Sequence, residues 1–89
     1  MTEKVEHVLK RWEKKYGYIG LSREELKLFS SVMDKRFTLK VLGRELYERK
    51  IDKQGRIWVS HGGLKGLEVG DVLIISKDDE GNYRIEKKS

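Results

Sequence analysis

The chain is 89 residues long, with 37% hydrophobic residues, 39% charged residues, no cysteine and a net charge of +5. A chain this short supports one hydrophobic core, and the absence of cysteine excludes a disulfide framework and a thiolate metal site. Neither a long apolar run nor an apolar leader is present, so we expect a single cytoplasmic domain without a membrane span or signal peptide.

The positive charge is concentrated in the first half of the chain. Residues 1–44 hold 11 Lys/Arg and 6 Asp/Glu, whereas residues 45–89 hold 9 of each. A basic excess favours an anionic partner such as nucleic acid, because Lys and Arg that neutralise phosphates release counterions. The same counts fit a surface on which Lys and Glu pair with each other and contact only water. Both interpretations stay open at this point.

The N-terminal segment, residues 1–16, has the apolar spacing of an amphipathic helix. Positions i, i+3, i+4 and i+7 are occupied by Val5, Val8, Leu9 and Trp12. Two basic residues, Lys14 and Lys15, lie near the predicted C-terminus, and Gly17 can cap it. The spacing therefore predicts an N-terminal helix. The alternative is an additional strand, which the repeat described below would place at residues 8–13.

Residues 17–54 are predicted to form a strand, a short helix and two further strands. Ser22 is expected to cap the helix, and Glu25 is expected to accept a hydrogen bond from the Ser22 amide. The helix should bury Leu26 and Phe29. Apolar or alternating stretches separated by turn residues predict the strands at residues 18–21, 37–42 and 45–51, with Gly43 in the last turn.

Residues 55–89 have the same order in a looser form. Strands are predicted at residues 56–60, 72–75 and 83–86. Three glycines within residues 61–66 leave only a loose turn where the first unit has its helix. Residues 78–81 are predicted to form a turn, because their three acidic side chains are too few for a calcium loop.

The two units align at an offset of 38 residues, which places GYIGLS at residues 17–22 on GRIWVS at residues 55–60. Gly43 then falls on Gly81, and matched glycines at one offset indicate an internal duplication. Two units of three strands give six, a number that can close into a barrel without free edges. We therefore expect a mainly β, six-stranded barrel of two strand-helix-strand-strand repeats. Because one chain supplies both halves, we expect a monomer.

Two motifs of the second half resemble a known family. RKIDKQGRI at residues 49–57 resembles the first hairpin of the AbrB/SpoVT/MazE/MraZ swapped-hairpin transcription factors, and GLEVGDVLII at residues 66–75 resembles their Gly-Asp turn. The duplicated layout is more similar to the RIFT-type cradle-loop barrels of small archaeal proteins. The resemblance implies a cradle-loop barrel whose hairpin cations contact phosphates. The matching cations are Arg49, Lys50, Lys53 and Arg56.

A second candidate surface lies in the N-terminal segment. On a helix, its cations would form one face opposite the apolar one: Lys10, Arg11, Lys14 and Lys15. Such a face suits a nucleic-acid duplex or an acidic protein, and an ordinary helix packed on a barrel has the same pattern. The aromatic residues near the cations are candidates for stacking on unpaired bases or for packing in the core: Trp12, Tyr16, Tyr18 and Trp58.

We predict a binding protein rather than an enzyme. The two histidines, His7 and His61, are far apart in the sequence, and residue spacing indicates no nucleophile–base pair, metal cluster or cofactor site. The leading hypothesis is a small nucleic-acid-binding barrel, with DNA as the favoured ligand, that contacts phosphates through the hairpin and the N-terminal cations. The alternatives are an interaction domain for an acidic protein and a small-ligand or enzymatic cradle-loop barrel.

Overall fold

The computed structural model describes residues 3–88. The strands are β1 Glu3–Val8, β2 Tyr18–Gly20, β3 Phe37–Val41, β4 Arg44–Arg49, β5 Arg56–Trp58, β6 Val72–Lys77 and β7 Tyr83–Lys87. The helices are α1 Arg11–Tyr16, α2 Arg23–Leu26, which continues as a 3-10 helix at Lys27–Val32, and α3 Ser60–Gly63. The predicted mainly β fold is confirmed, and each of the six strands predicted within the repeat is present.

The strands form a mixed sheet and a separate ribbon. The sheet has the order β1-β6-β7-β3-β4, and the ribbon consists of β2 and β5. Neighbours in the sheet are antiparallel except β3 and β7, which run parallel. Across residues 3–88 the sheet is open, with β1 at one edge and β4 at the other, so it does not close into the expected barrel.

The predicted N-terminal helix is wrong over its first half. Residues 3–8 form β1, which pairs with β6 from Glu3↔Lys77 to Val8↔Val72. Within this segment only residues 11–16 are helical, and the alternative of an additional strand holds at residues 3–8 rather than at residues 8–13. Alternate positions turn towards the interior: Val5 is half-buried, His7 and the next residue after the strand, Leu9, are buried, and Val8 is exposed. Pairing with the free edge of β6 thus overrides the helical spacing, and residues 1–2 of the prediction lie outside the described part.

The ribbon shows the 38-residue relation between the two units directly. Its register is symmetric about the pair Ile19↔Ile57, with Tyr18 opposite Trp58 and Gly20 opposite Arg56. Two equivalent backbone bonds flank it, from the Leu21 amide to the Gly55 carbonyl at 2.9 Å and from the Val59 amide to the Gly17 carbonyl at 3.0 Å. Both glycines have positive φ, 82° and 77°. The two units are therefore related by local two-fold symmetry across the ribbon.

The symmetry does not extend to the sheet edges. β3 lies between its hairpin partner β4 and β7 of the other unit, whereas β6 lies between its hairpin partner β7 and β1. By symmetry, β4 would lie beside β6. The N-terminal strand occupies that place instead, so the two units are not equivalent in the folded chain.

The core combines the inner faces of sheet, ribbon and 3-10 helix. Ile19 and Ile57 of the ribbon are 0% exposed, as is Phe29 of the 3-10 helix. Phe29 stacks on Tyr83 of β7 with ring centroids 4.4 Å apart, and the Tyr83 hydroxyl donates a 2.9 Å hydrogen bond to the Leu28 carbonyl. Burial of an aliphatic or aromatic side chain contributes about 1.5–3 kcal/mol, so these residues fix the ribbon and helix on the sheet. Leu26, also predicted to be buried, is only partly so.

Candidate nucleic-acid interface

The turn between β4 and β5 is organised by one carboxylate. These two strands pair with other strands, and a single bridge between Ile51 and Ile57 closes the turn, for which we keep the name hairpin. Asp52 Oδ1 accepts hydrogen bonds from the amides of Gln54 and Arg56, each at 2.9 Å. Asp52 Oδ2 accepts from Arg56 Nε and from the indole Nε1 of Trp58, each at 3.0 Å. Slight burial acts in the opposite direction, but these bonds hold the pKa of Asp52 below its ordinary value. Asp52 therefore fixes both the turn and the side chains beside it.

The two hairpin arginines are engaged within the protein. Arg56 is paired with Asp52, and its guanidinium lies 5.4 Å from the ring centre of Tyr18 and 5.1 Å from that of Trp58. Arg49 donates from Nε to the Tyr47 carbonyl at 3.0 Å and from a terminal nitrogen to the Trp58 carbonyl at 3.1 Å. Both side chains therefore hold the hairpin against the ribbon, and much of their donor capacity is used there.

The two hairpin lysines, Lys50 and Lys53, are exposed and border a shallow depression. The same depression is lined by the acidic residues Asp34 and Asp52. Two cations and two carboxylates balance each other locally, which weakens the attraction of this surface for phosphate. The structure thus brings the four predicted hairpin cations together but leaves only the lysines free to extend into water.

α1 is oriented by a buried cluster that residue spacing did not indicate. His7 Nε2 lies 2.8 Å from Glu13 Oε2, and His7 Nδ1 lies 2.9 Å from Glu25 Oε2. Because both ring nitrogens contact carboxylates, the geometry fits a protonated imidazole, which donates from each nitrogen. His7, Glu13 and Glu25 are 4%, 1% and 8% exposed. We call these three residues the His7 cluster.

Backbone amides complete the His7 cluster. Glu13 accepts from the Lys10 amide at 2.7 Å and the Gly20 amide at 2.6 Å, and Glu25 accepts from the Ser22 amide at 2.7 Å. The predicted capping box of Ser22 and Glu25 is confirmed, since the Ser22 hydroxyl also accepts from the Glu25 amide. Each glutamate thus caps its own helix and binds the same histidine, which ties both helix N-termini to β1.

The surroundings shift two pKa values within the His7 cluster in opposite directions. Burial alone would lower the pKa of His7, but hydrogen bonds and charge from both glutamates outweigh it and raise the pKa. Burial alone would raise the pKa of Glu13, but His7 and the amides of Gly20 and Lys10 outweigh it and lower the pKa. These shifts stabilise the charged forms, and the deep burial makes the cluster a structural clamp.

Within residues 3–88, no group of three or more His, Cys, Asp or Glu side chains is arranged to hold a metal ion.

The outward side of α1 carries aromatic and basic side chains in contact. With Glu13 turned inward, Trp12 is 51% exposed and Tyr16 is 56% exposed. Lys10 Nζ lies 5.9 Å from the Trp12 ring centre, and Lys15 Nζ lies 5.4 Å from the Tyr16 ring centre. Arg11 is also exposed. We call this surface, Lys10, Arg11, Trp12, Lys15 and Tyr16, the α1 face.

Lys14 is the one predicted cation of the helix that does not belong to the α1 face. Its ammonium group donates to the carbonyls of Leu64 and Leu67, and the side chain is partly buried. It therefore links α1 to the chain after α3. Its charge satisfies backbone carbonyls there rather than facing water.

The four aromatic residues named as stacking candidates, Trp12, Tyr16, Tyr18 and Trp58, lie outside the buried core. Besides Trp12 and Tyr16, Trp58 is 43% exposed and lies on the outer face of the ribbon beside Tyr18, with ring centroids 5.0 Å apart. α1 leads into Tyr18 at one end of the ribbon, and the hairpin leads into Arg56 at the other end. The ribbon therefore connects the two basic surfaces.

No protein-family model, curated protein or solved structure matches this chain. The likeness to the swapped-hairpin and cradle-loop families thus stands on the quoted motifs alone. In the part of the chain that the structure describes, no helix is both long and apolar enough to span a membrane.

Proposed function

We propose that this protein binds nucleic acid through the phosphate backbone, with the α1 face as its main contact. The observation that carries the proposal is the exposure of Trp12 and Tyr16 with a lysine ammonium beside each ring. Two large aromatic side chains that stay exposed do not gain the stabilisation that burial would give them. Their exposure on one surface therefore points to a ligand. Lysine and arginine on the same surface suit a polyanion.

The hairpin has a secondary role in this proposal. Lys50 and Lys53 extend the basic surface past the ribbon, whereas Arg49 and Arg56 shape the hairpin through their internal contacts. We therefore expect the two arginines to bind phosphate more weakly than the family resemblance implies. Contacts with the backbone of nucleic acid position a protein without reading the base sequence, so we propose binding with little sequence preference.

We also propose kinship with the duplicated cradle-loop barrels. The symmetric β2–β5 ribbon supports it, as does the Gly-Asp turn, where Gly70 has a φ of 95° and Asp71 accepts a 2.8 Å bond from the Glu68 amide. In this proposal β1 occupies the edge of β6, at which β4 would otherwise pair and close the barrel. One chain supplies both units, and we propose a cytoplasmic monomer.

Two charge-matched variants test the site. Arg11→Ala/Lys15→Ala removes two cations from the α1 face, and Lys50→Ala/Lys53→Ala removes two from the hairpin. Affinity for labelled single-stranded and duplex DNA is measured at two salt concentrations by fluorescence anisotropy. We expect the α1 variant to bind more weakly than the hairpin variant, with its salt slope on duplex reduced by about 0.9 for each phosphate that it no longer neutralises.

The opposite ranking of the two variants would move the site to the hairpin. Absence of binding to any nucleic acid at low salt would overturn the proposal and favour an interaction domain for an acidic protein. One observation supports that second candidate, since the apolar side chains of Val8 and Val69 are 52% and 53% exposed. Their segments are joined by a hydrogen bond from the Gly70 amide to the Leu9 carbonyl at 2.8 Å.

A further inference from the structure

The two aromatic residues of the α1 face lie one helical turn apart. Trp12 and Tyr16 are at positions i and i+4, which share one side of a helix and are separated by about 6 Å along its axis. Each residue is more than half exposed, and a lysine ammonium lies over each ring. A flat ligand can therefore reach each ring from the side that its lysine does not cover.

The helix that carries these rings is held rigidly. Glu13 is bound to His7 and to two backbone amides, and the Gly17 amide donates to the Glu13 carbonyl at 2.8 Å. Lys14 fastens the same helix to the carbonyls of Leu64 and Leu67. Because the backbone beneath the rings is already ordered, little further conformational entropy is lost when a ligand stacks on them.

The charges around the rings match a strand of nucleic acid. Lys10 and Lys15 lie beside the two rings, Arg11 is exposed between them in sequence, and the one acidic residue of the helix, Glu13, is turned inward and buried. A base that stacks on either ring thus has a cation within reach of its phosphate. Such pairing of stacking surface and cation is typical of proteins that bind single strands.

A duplex would leave the aromatic rings without a partner. Its phosphates are accessible to lysine and arginine, but its bases are stacked on each other and present only their edges in the grooves. From the geometry of the α1 face, we infer that this protein binds single-stranded nucleic acid, with unpaired bases stacked on Trp12 and Tyr16. The inference rests on the proposed function and specifies its ligand.

Three probes of equal length separate bases from phosphates: a single-stranded oligothymidylate, an abasic strand with the same phosphates, and a duplex. Affinities are measured at one fixed salt concentration. Stacking contributes about 1–3 kcal/mol per base, so we expect the oligothymidylate to bind at least about 5-fold more tightly than the abasic strand. The same strand should also bind more tightly than the duplex.

Variants of the α1 face test which residues provide this preference. Trp12→Ala/Tyr16→Ala should bind the oligothymidylate no better than the abasic strand, whereas Trp12→Phe/Tyr16→Phe should keep most of the preference because it keeps both π-faces. Tyr47→Ala is the matched control. Tyr47 is 62% exposed on β4, and its hydroxyl donates to the Glu45 carboxylate, so its loss should leave every affinity unchanged.

The outcomes distinguish the inference from the function on which it rests. Equal binding of the oligothymidylate and abasic strand, or tighter binding of the duplex, overturns the inference while leaving phosphate binding in place. A preference that survives Trp12→Ala/Tyr16→Ala in a folded variant overturns the assignment to these rings. Failure of all three probes to bind at low salt overturns the proposed function itself.

Discussion

Two clusters in this protein, the buried His7 cluster and the exposed hairpin around Asp52, are built from the same chemical groups. In each, a carboxylate accepts bonds from nearby backbone amides and from a cationic or polar side chain of a neighbouring position. They differ in their access to water, because Glu13 is 1% exposed whereas the Asp52 side chain is 29% exposed. We therefore expect burial, more than the number of hydrogen bonds, to determine what each cluster contributes to stability.

The physical reason lies in what replaces a missing partner. When one member of a buried ionic cluster is removed, the remaining charge has neither its partner nor water. When a member of a half-exposed cluster is removed, water takes over the free donors and acceptors. Substitutions and pH should therefore affect the two clusters to different degrees.

The largest effect is expected from removing a member of the His7 cluster. Glu13→Ala deprives His7 of one carboxylate and leaves the amides of Lys10 and Gly20 without their acceptor. We expect the free energy of unfolding, measured by urea denaturation, to fall by about 3–5 kcal/mol. Glu13→Gln should cost less, because the single amide oxygen of Gln still accepts from one of these two backbone amides.

Glu24→Gln is the control, at an exposed glutamate, for both substitutions of Glu13. Glu24 belongs to the neighbouring helix, and its side chain is 78% exposed and paired with Lys27 at 3.3 Å. Its replacement should change the free energy of unfolding by less than about 1 kcal/mol. Comparable losses of stability for Glu13→Ala and Glu24→Gln would show that burial does not separate the two kinds of cluster.

An intermediate effect is expected from pH, with opposite signs for two members of the His7 cluster. The pKa of His7 is raised from 6.5, so its stabilisation is complete below 6.5 and is lost as pH rises through the raised value. The pKa of Glu13 is lowered from 4.5, so its stabilisation is complete above 4.5 and is lost as pH falls through the lowered value. Urea midpoints measured across pH should therefore be highest between these limits.

The variant His7→Gln tests whether His7 causes the loss of stability at alkaline pH. In His7→Gln the decline above 6.5 should be smaller, because the titrating group is absent, although the variant is less stable throughout. An unchanged alkaline slope in His7→Gln would contradict the assignment of the raised pKa to this cluster.

The smallest effect is expected from the exposed cluster. Asp52→Ala removes the acceptor of the Gln54 and Arg56 amides, of the Arg56 guanidinium and of the Trp58 indole. Because water replaces these bonds, we expect the free energy of unfolding to fall by only about 1 kcal/mol. In a Trp12→Phe background, Trp58 fluorescence should change at the same time, since the indole loses its partner. A destabilisation as large as that of Glu13→Ala would show that burial does not separate the contributions of the two clusters.

Local patterns in the sequence predicted the elements that are determined locally. The capping box of Ser22 and Glu25 depends on residues within one helical turn, and the structure contains it. β1 could not be found in this way, because the apolar residues of its segment fit a helix equally well. Only the free edge of β6, supplied by residues far away in the chain, makes this segment a strand.

The candidate site was predicted in composition but not in detail. The cations of the α1 face were named from the sequence, whereas the engagement of Lys14, Arg49 and Arg56 depends on carbonyls and a carboxylate that come near them only after folding. The sequence did not predict the His7 cluster, because its three members come from three separate elements. The only local indications of the cluster are Glu13 and Glu25, each at the third position of its helix, and His7, which lies in a segment where buried and exposed positions alternate.

The open sheet requires protection against growth by addition of further strands. Its edge strands carry charged residues, Glu3, Lys4 and Glu6 in β1 and Arg44, Glu45, Glu48 and Arg49 in β4. In β4 the register with β3 is irregular, and Glu48 has a positive φ of 54°. A bulge and a dense row of charges oppose the regular pairing that aggregation along an edge needs. We therefore expect the open sheet to resist edge-to-edge association with other copies of the chain.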